Sequence, residues 1–161
     1  MADSTQDAYV AGLTMLARRE LSEAQVRQRL LRKGFAADDV DAAIGRLKAE
    51  RALDDTRVAE AIARTEIALH QRGRLRVDRQ IARAGIAKAT AKQAIEQVYA
   101  DVDTDALLLA AMTKRLRGAD RISDHRTFQR LYRYLIGQGF EPERVINALR
   151  RMRKPAESDD F

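Results

Sequence analysis

The sequence predicts an all-α fold of three tandem three-helix repeats that form an elongated, curved body. The 161 residues include only two prolines and eight glycines, so long stretches of helix-forming residues run without interruption. Aromatic residues make up 5% of the chain and no segment alternates polar and apolar residues with a period of two, which argues against β-sheet. A threefold internal repeat completes the prediction.

The repeat is visible when the chain is aligned on three glycines. Apolar residues then recur eight and four residues before each glycine and nine, ten and thirteen residues after it. The alignment glycines are Gly34, Gly85 and Gly139, and the apolar positions before them are Val26, Val77, Leu131, Leu30, Ile81 and Leu135. Each copy therefore predicts a helix, a turn with glycine in the left-handed conformation, and a second helix.

This alignment divides the chain into repeats of similar length. Each repeat has an earlier helix in front of the aligned pair, predicted at residues 8–18, 55–72 and 104–116. Stacked helical units of this size bury their apolar faces against their neighbours. The predicted boundaries are a flexible N-terminus at 1–6, repeat one at 7–51, repeat two at 52–102, repeat three at 103–154 and a flexible acidic tail at 155–161.

Local signals for helix starts and turns agree with these elements. Ser22 stands three residues before Gln25, which is the spacing of a capping box. Pro142 follows a glutamate at the predicted start of the last helix, where the first turn tolerates proline. Two phenylalanines directly follow turn glycines, and Phe35 and Phe140 are therefore predicted core residues.

The charge of the chain gives the first functional indication. Thirty lysines and arginines against 24 aspartates and glutamates give a net charge of +6, and arginine is far more common than lysine. Arginine binds carboxylates and phosphates bidentately, so clusters of arginine favour a recognition surface. Solvated helix faces rich in arginine are the alternative interpretation of the same composition.

The arginines of repeats two and three recur at the same offsets, thirteen, nine and six residues before the turn glycine, where repeat one has a leucine and two glutamines. We expect the aligned arginines to face a partner rather than the core, so that removing their charge changes stability little. A further basic cluster, continued by Lys154, ends the last helix, where helix-end stabilisation is the alternative explanation. The predicted partner-binding or DNA-binding residues are Arg72, Arg74, Arg76, Arg79, Arg83, Arg126, Arg130, Arg133, Arg150, Arg151 and Arg153.

Catalytic chemistry has no signature in the sequence. Without cysteine, disulfides, cysteine-based zinc sites and thiol nucleophiles are excluded. No phosphate-binding loop, dinucleotide fingerprint or metalloprotease motif is present, and the two histidines, His70 and His125, are too far apart in sequence to suggest a metal pair. We expect a non-enzymatic protein with no cofactor, metal or small-molecule substrate. The lack of an 18-residue apolar run and of a basic-then-apolar leader predicts a cytoplasmic protein without a membrane partner.

Several segments resemble the RecX family of bacterial regulators. Residues 19–23 (Arg-Glu-Leu-Ser-Glu), Arg27 and residues 30–35 (Leu-Leu-Arg-Lys-Gly-Phe) are similar to the family's first repeat. Residues 53–59 (Leu-Asp-Asp-Thr-Arg-Val-Ala) resemble its Leu-Asp-Asp-x-Arg-Phe-Ala stretch, with valine in place of the usual phenylalanine. The last-repeat signature is matched by Tyr134-Leu135 and Gly139-Phe140, whereas Arg74 stands where proline is common.

The resemblance extends over residues 8–152 and implies a modulator of the RecA recombinase. A RecX-like protein is expected to consist of three tandem three-helix repeats and to bind active RecA filaments on DNA. It would restrain filament extension and suppress strand exchange, ATP hydrolysis and co-protease activity, and so modulate recombination, DNA repair and the SOS response. Weak contact with single- or double-stranded DNA is expected as well.

Two other function classes fit the same residues. A basic helical module that binds DNA directly needs only phosphate contacts from the arginines. Against it, the chain offers no tryptophan and only eight phenylalanines and tyrosines in total for base stacking. A helical adaptor for a partner unrelated to DNA is the third class. The response of RecA-dependent ATP hydrolysis to the protein separates the three.

Overall fold

A computed structural model describes residues 2–119 and 121–153. Within these ranges the chain forms nine α-helices and no β-strand, which confirms the all-α prediction. The helices are α1 (Ala2–Arg18), α2 (Glu23–Arg32), α3 (Ala37–Ala49), α4 (Asp55–His70), α5 (Arg74–Arg83), α6 (Lys88–Tyr99), α7 (Thr104–Leu116), α8 (His125–Gly137) and α9 (Pro142–Met152). None of these helices is long and apolar enough to cross a membrane.

The three aligned glycines adopt the left-handed backbone conformation that the repeat predicts. Gly34, Gly85 and Gly139 have φ angles of +96°, +76° and +93°. Each lies between the second and third helix of its repeat. At Gly34 no atom lies within 4 Å of the place that a Cβ would take, so the backbone conformation alone favours glycine there.

The aligned apolar residues form the cores of the first and third repeats. Val26 and Leu30 are fully buried in the first cluster, and Leu131 and Leu135 are buried in the cluster formed by α7, α8 and α9. Phe140 is 1% exposed and belongs to the second cluster, as predicted. The corresponding residue of repeat one, the phenylalanine after Gly34, is only half-buried and packs against the edge of its cluster.

The N-terminal residues differ from their prediction. The sequence predicts a flexible N-terminus at 1–6, whereas α1 begins at Ala2; residue 1 lies outside the described residues. The hydroxyls of Ser4 and Thr5 donate hydrogen bonds to the Asp39 carboxylate of α3, and this tertiary contact holds the start of α1. The bonds from Thr5 and then Ser4 hold the pKa of Asp39 below its ordinary value.

The chain packs into two compact units. In its described part, one unit comprises residues 2–63 and 78–97, and the other comprises residues 64–77, 98–119 and 121–153. The middle repeat thus contributes helical segments to both units. The repeat boundaries after residues 51 and 102 stay a prediction, and the predicted acidic tail at 155–161 lies outside the described residues.

Both units contain a contact between successive repeats at equivalent positions. In the first unit the Ser22 hydroxyl donates a hydrogen bond to the backbone carbonyl of Ala84. In the second unit the backbone amide of Gly73 donates a hydrogen bond of 2.9 Å to the carbonyl of Gln138. Each donor stands immediately before the second helix of its repeat, and each acceptor stands immediately before the turn glycine of the following repeat. The stacking contact therefore recurs one repeat further along the chain.

Candidate partner-binding surface

Two of the five arginines predicted in repeat two are open on the surface of α5. Arg79 and Arg83 are exposed and lie one helical turn apart. The Arg83 guanidinium donates a hydrogen bond of 3.2 Å to the side-chain oxygen of Gln80. Neither arginine forms an ion pair within the part of the chain that the structure describes. Both therefore occupy the surface position that the sequence predicts.

The other three arginines of repeat two are engaged inside the second unit. The Arg72 guanidinium pairs with the Glu66 carboxylate, and the two side chains are only 18% and 10% exposed. The Arg74 guanidinium lies 5.1 Å above the centre of the Tyr99 ring. The Arg76 guanidinium donates a hydrogen bond of 2.8 Å to the backbone carbonyl of Gly137. The expectation that Arg72 lies on an open surface is therefore wrong.

The burial of Arg72 follows from where the helices begin. The aligned residue of repeat one is Leu21, which is 1% exposed. Both α2 and α5 begin eleven residues before their turn glycine, so Leu21 and Arg72 precede the helix and point into the packed region. Helix α8 begins three residues earlier relative to its glycine, so Arg126 lies in its first turn and is exposed. Equal distance from the glycine does not give an equal environment.

A loop brings four arginines together in repeat three. The three predicted residues of α8, Arg126, Arg130 and Arg133, are exposed. Arg130 lines a cavity of about 440 Å³ between the end of α7 and the start of α8. The other charged lining residues are Arg115, Arg117 and Arg121, which the sequence reasoning missed. These four side chains form no ion pair within residues 2–119 and 121–153, so the cavity offers positive charge to an anionic group.

The start of α8 is fixed by a side-chain cap beside this cavity. The Asp124 carboxylate accepts a hydrogen bond of 2.7 Å from the backbone amide of Thr127 and another of 2.8 Å from its hydroxyl. These bonds, the backbone one first, lower the pKa of Asp124. Because the cap sets where α8 begins, it also sets the positions from which Arg126 and Arg130 project.

The basic cluster at the end of α9 is exposed. Arg150, Arg151 and Arg153 have no carboxylate partner among the residues that the structure describes. The end of α9 is anchored by a backbone hydrogen bond of 3.1 Å from the amide of Ile122 to the carbonyl of Met152. Lys154, which continues the cluster in the sequence, lies outside the described residues.

Repeat one contains a basic cleft that the sequence reasoning did not identify. The cleft has a volume of about 830 Å³ and lies between α1 and α2. It is lined by Ala11, Thr14, Met15, Arg18, Arg19, Arg29, Arg32 and Lys33. The basic residues stand in the last turns of two separate helices or directly after them, and only the folded arrangement brings them to one opening.

The described residues hold no group of three or more histidines and carboxylates that could bind a metal ion. Burial raises the pKa of the Tyr99 phenol to about 12. The Tyr99 hydroxyl donates a hydrogen bond of 2.7 Å to the backbone carbonyl of Arg72, and this bond ties α6 to the segment before α5.

The chain is similar in sequence to known proteins over most of its length. Residues 8–47 match the family model described as the first three-helix domain of RecX. Over 150 residues the chain is 33% identical to the regulatory protein RecX of Acidithiobacillus ferrooxidans (strain ATCC 53993 / BNL-5-31), covering 92% of this chain and 93% of that protein. Over 153 residues it is 27% identical to the regulatory protein RecX of Pelodictyon phaeoclathratiforme, covering 95% and 93%.

Solved structures show the same fold. The crystal structure of RecX from Lactobacillus salivarius superimposes with a TM-score of 0.81 at 18% identity, over 94% of this chain and 98% of that one. A second crystal structure of a regulatory protein RecX superimposes with a TM-score of 0.79 at 21% identity, over 93% of this chain and 73% of that one. At these identities the likeness concerns the fold.

Proposed function

This chain belongs to the RecX family, and from that premise we propose that it is a regulatory protein that binds RecA filaments on DNA. It inhibits filament extension and, with it, strand exchange, ATP hydrolysis and the co-protease activity of the filament. Through these effects it modulates recombination, DNA repair and the SOS response in the cytoplasm. The chain acts by binding and has no catalytic activity of its own, in keeping with relatives that are named regulatory proteins.

The observation that supports this proposal is a set of exposed arginines without acidic partners in the described ranges. An arginine that is already paired with a carboxylate contributes less to binding a partner, because the new contact must replace the old one. Unpaired guanidinium groups favour a partner that presents carboxylates or phosphates, and a recombinase filament on DNA offers both. The proposed contact residues are Arg79, Arg83, Arg126, Arg130, Arg133, Arg150, Arg151 and Arg153.

Three arginines of the sequence-based set take a smaller part in the proposed contact. Arg72 is occupied by Glu66 and is mostly buried. Arg74 and Arg76 are half-buried residues, and their guanidinium groups contact the Tyr99 ring and the Gly137 carbonyl. We assign Arg72 to the stability of the fold and the other two to the edge of the contact.

RecA-dependent ATP hydrolysis on single-stranded DNA tests the proposal. Increasing amounts of the protein should lower the rate at concentrations well below those that cover the DNA. The double variants Arg79→Ala/Arg83→Ala and Arg130→Ala/Arg133→Ala should each raise the half-inhibitory concentration by about tenfold, since each removes two charge-assisted contacts. Unchanged inhibition by both variants would show that these arginines are solvated faces.

A matched control separates a local contact from a loss of net charge. Lys88 and Lys92 are exposed on α6 and have no ion-pair partner within the described part of the chain. Lys88→Ala/Lys92→Ala removes the same two charges and should leave inhibition unchanged. Melting of all variants should stay close to that of the parent, because exposed substitutions usually change stability by within about 0.5 kcal/mol.

A basic module that acts on DNA directly is the second candidate. It is favoured by the cavity between α7 and α8, whose four arginines can surround a phosphate. If the protein acted only by occupying DNA, excess single-stranded DNA would relieve its inhibition of RecA-dependent ATP hydrolysis. A protein that acts on the filament would inhibit to the same extent. Binding to DNA without RecA should then weaken with salt, with a log–log slope of about 0.7 for each phosphate contact on a single strand.

A further inference from the structure

The cleft between α1 and α2, called here the repeat-one cleft, gathers more positive charge than either helix end requires. Arg18 ends α1, and Arg32 and the C-cap residue Lys33 end α2. A cation at a helix C-terminus is stabilised by the helix dipole, which accounts for single residues at each end. It does not account for five basic side chains around one opening of about 830 Å³.

None of the five basic residues of the repeat-one cleft has an acidic partner in the part of the chain that the structure describes. Other arginines of the same unit are paired: Arg27 with Asp41, Arg46 with Glu50 and Arg57 with Glu20. Like charges that converge without counter-charges repel one another and raise the local potential. An anionic ligand in the cleft would relieve this repulsion.

The floor of the cleft is apolar and defines the ligand further. Ala11 and Met15 lie on it and pack at the edge of the repeat-one core. The Thr14 hydroxyl donates its proton to the carbonyl of Val10 in its own helix at 2.9 Å, so it has no proton left to donate to an anionic ligand. A flexible methionine adapts to apolar side chains of different shape. None of the lining residues is aromatic, so a nucleobase finds no aromatic ring to stack on there.

We propose that the repeat-one cleft binds an acidic peptide segment of a partner protein, with carboxylates on the arginine rim and one apolar side chain on Met15. A phosphate chain would use the rim and leave the floor uncovered, whereas an acidic segment with an apolar residue uses both. This site shares no residue with the arginines of α5, α8 and α9. The inference stands whether or not the chain regulates RecA.

Fluorescence anisotropy with the full chain tests the site. The probe is a labelled peptide of aspartate and glutamate with two central leucines. We expect saturable binding that Arg29→Gln/Arg32→Gln weakens by about tenfold, because two charge-assisted contacts are lost. The same peptide with serine in place of leucine should bind several-fold more weakly. Equal binding of the two peptides would overturn the role of Met15 and the floor.

Two controls keep the test independent of folding and of overall charge. Because Arg29 is half-buried, a second variant, Arg18→Gln/Lys33→Gln, changes only exposed residues and should weaken binding to a similar degree. Lys88→Gln/Lys92→Gln removes the same charge from exposed positions of α6 outside the proposed contact residues and should leave binding unchanged; an equal loss there would overturn the site. A single-stranded oligonucleotide of equal charge that displaces the peptide at equal concentration would identify a phosphate site and overturn the peptide.

Discussion

The backbone of Gly73 lies directly against the backbone of Gly139. A Cβ on Gly73 would overlap the Gly139 carbonyl oxygen and lie 2.5 Å from its carbonyl carbon. Both obstacles are main-chain atoms, which cannot rotate aside as the end of a flexible side chain can. Glycine at position 73 is therefore required by the close approach of two repeats of the second unit.

Gly73→Ala is expected to destabilise the protein by about 1–3 kcal/mol, the usual cost of forcing extra volume into a packed region. Urea denaturation followed by helical circular dichroism measures the change. Gly45→Ala is the control, because Gly45 lies inside α3 and a Cβ there meets nothing within 4 Å. That variant should gain up to about 1 kcal/mol from better helix propensity. Equal midpoints for the two variants would contradict the close approach.

The pair of Arg72 and Glu66 is expected to behave as a buried ion pair. Arg72→Met leaves the Glu66 carboxylate buried without its cation and should destabilise by about 3 kcal/mol. Adding Glu66→Leu should recover at least half of the loss, since an apolar pair removes the unpaired charge. The Arg72 Nε has no partner within the described residues, so the arginine itself is incompletely hydrogen-bonded. The unfolding free energies of the parent, both single variants and the double variant form a double-mutant cycle that measures the coupling between the two residues.

A matched substitution distinguishes this effect from loss of an ordinary arginine. Arg79→Met removes the same charge from an exposed site of α5 and should change stability by within about 0.5 kcal/mol. Similar losses for Arg72→Met and Arg79→Met would show that the burial of Arg72 has no energetic consequence.

Stability should fall at alkaline pH because of Tyr99. Burial raises the pKa of Tyr99 from 10.0 to about 12, so the folded state holds its proton where the unfolded state loses it. The contribution is fully present below pH 10 and is lost as the pH rises through about 12, with a slope of about 1.4 kcal/mol per pH unit.

Comparison with Tyr99→Phe separates the effect of Tyr99 ionisation on stability from other effects of alkaline pH. The variant lacks the hydrogen bond to the Arg72 carbonyl and should be about 1 kcal/mol less stable at neutral pH. Its stability should then decline less than that of the parent between pH 10 and 12. Parallel declines in urea midpoints would mean that Tyr99 ionises as readily in the folded state as in the unfolded one.

The turn of repeat one should depend on the backbone of Gly34. With φ at +96° and open space around the Cβ position, a larger residue there is strained without any clash. Gly34→Val should cost about 1 kcal/mol or more, since a β-branched residue fits the left-handed region poorly. Gly45→Val, in helical backbone, should cost clearly less in the same thermal melt. An unaltered melting midpoint for Gly34→Val would contradict this turn geometry.

Features with a local cause could be predicted from the sequence. The capping box is present as expected: the Ser22 hydroxyl accepts from the Gln25 amide at 3.2 Å, and the Gln25 side chain accepts from the Ser22 amide at 3.0 Å. The turn at Gly34 is likewise set by residues within a few positions of it. Helix propensity, caps and left-handed glycines act over one or two turns, so their signals survive in the sequence alone.

Features that depend on residues far apart in the chain could not be predicted from the sequence. The start of α1 is held by Asp39, more than thirty residues away, and Arg72 is buried because α5 begins only after it. The repeat-one cleft was missed for the same reason. Arg18 and Arg32 each read as an ordinary basic residue at a helix end, and only the packing of α1 against α2 brings them to one opening.

The repeated stacking contact has a consequence for biosynthesis. The amides of Gly73 and Leu75 bond to the carbonyls of Gln138 and Gly139, so the acceptors are translated long after the donors. About 65 residues separate them, which at about 5–20 residues per second is an interval of about 3–13 s on the ribosome. During that time the amides at the start of α5 bond to water, and they reach their protein acceptors only when the third repeat has been synthesised.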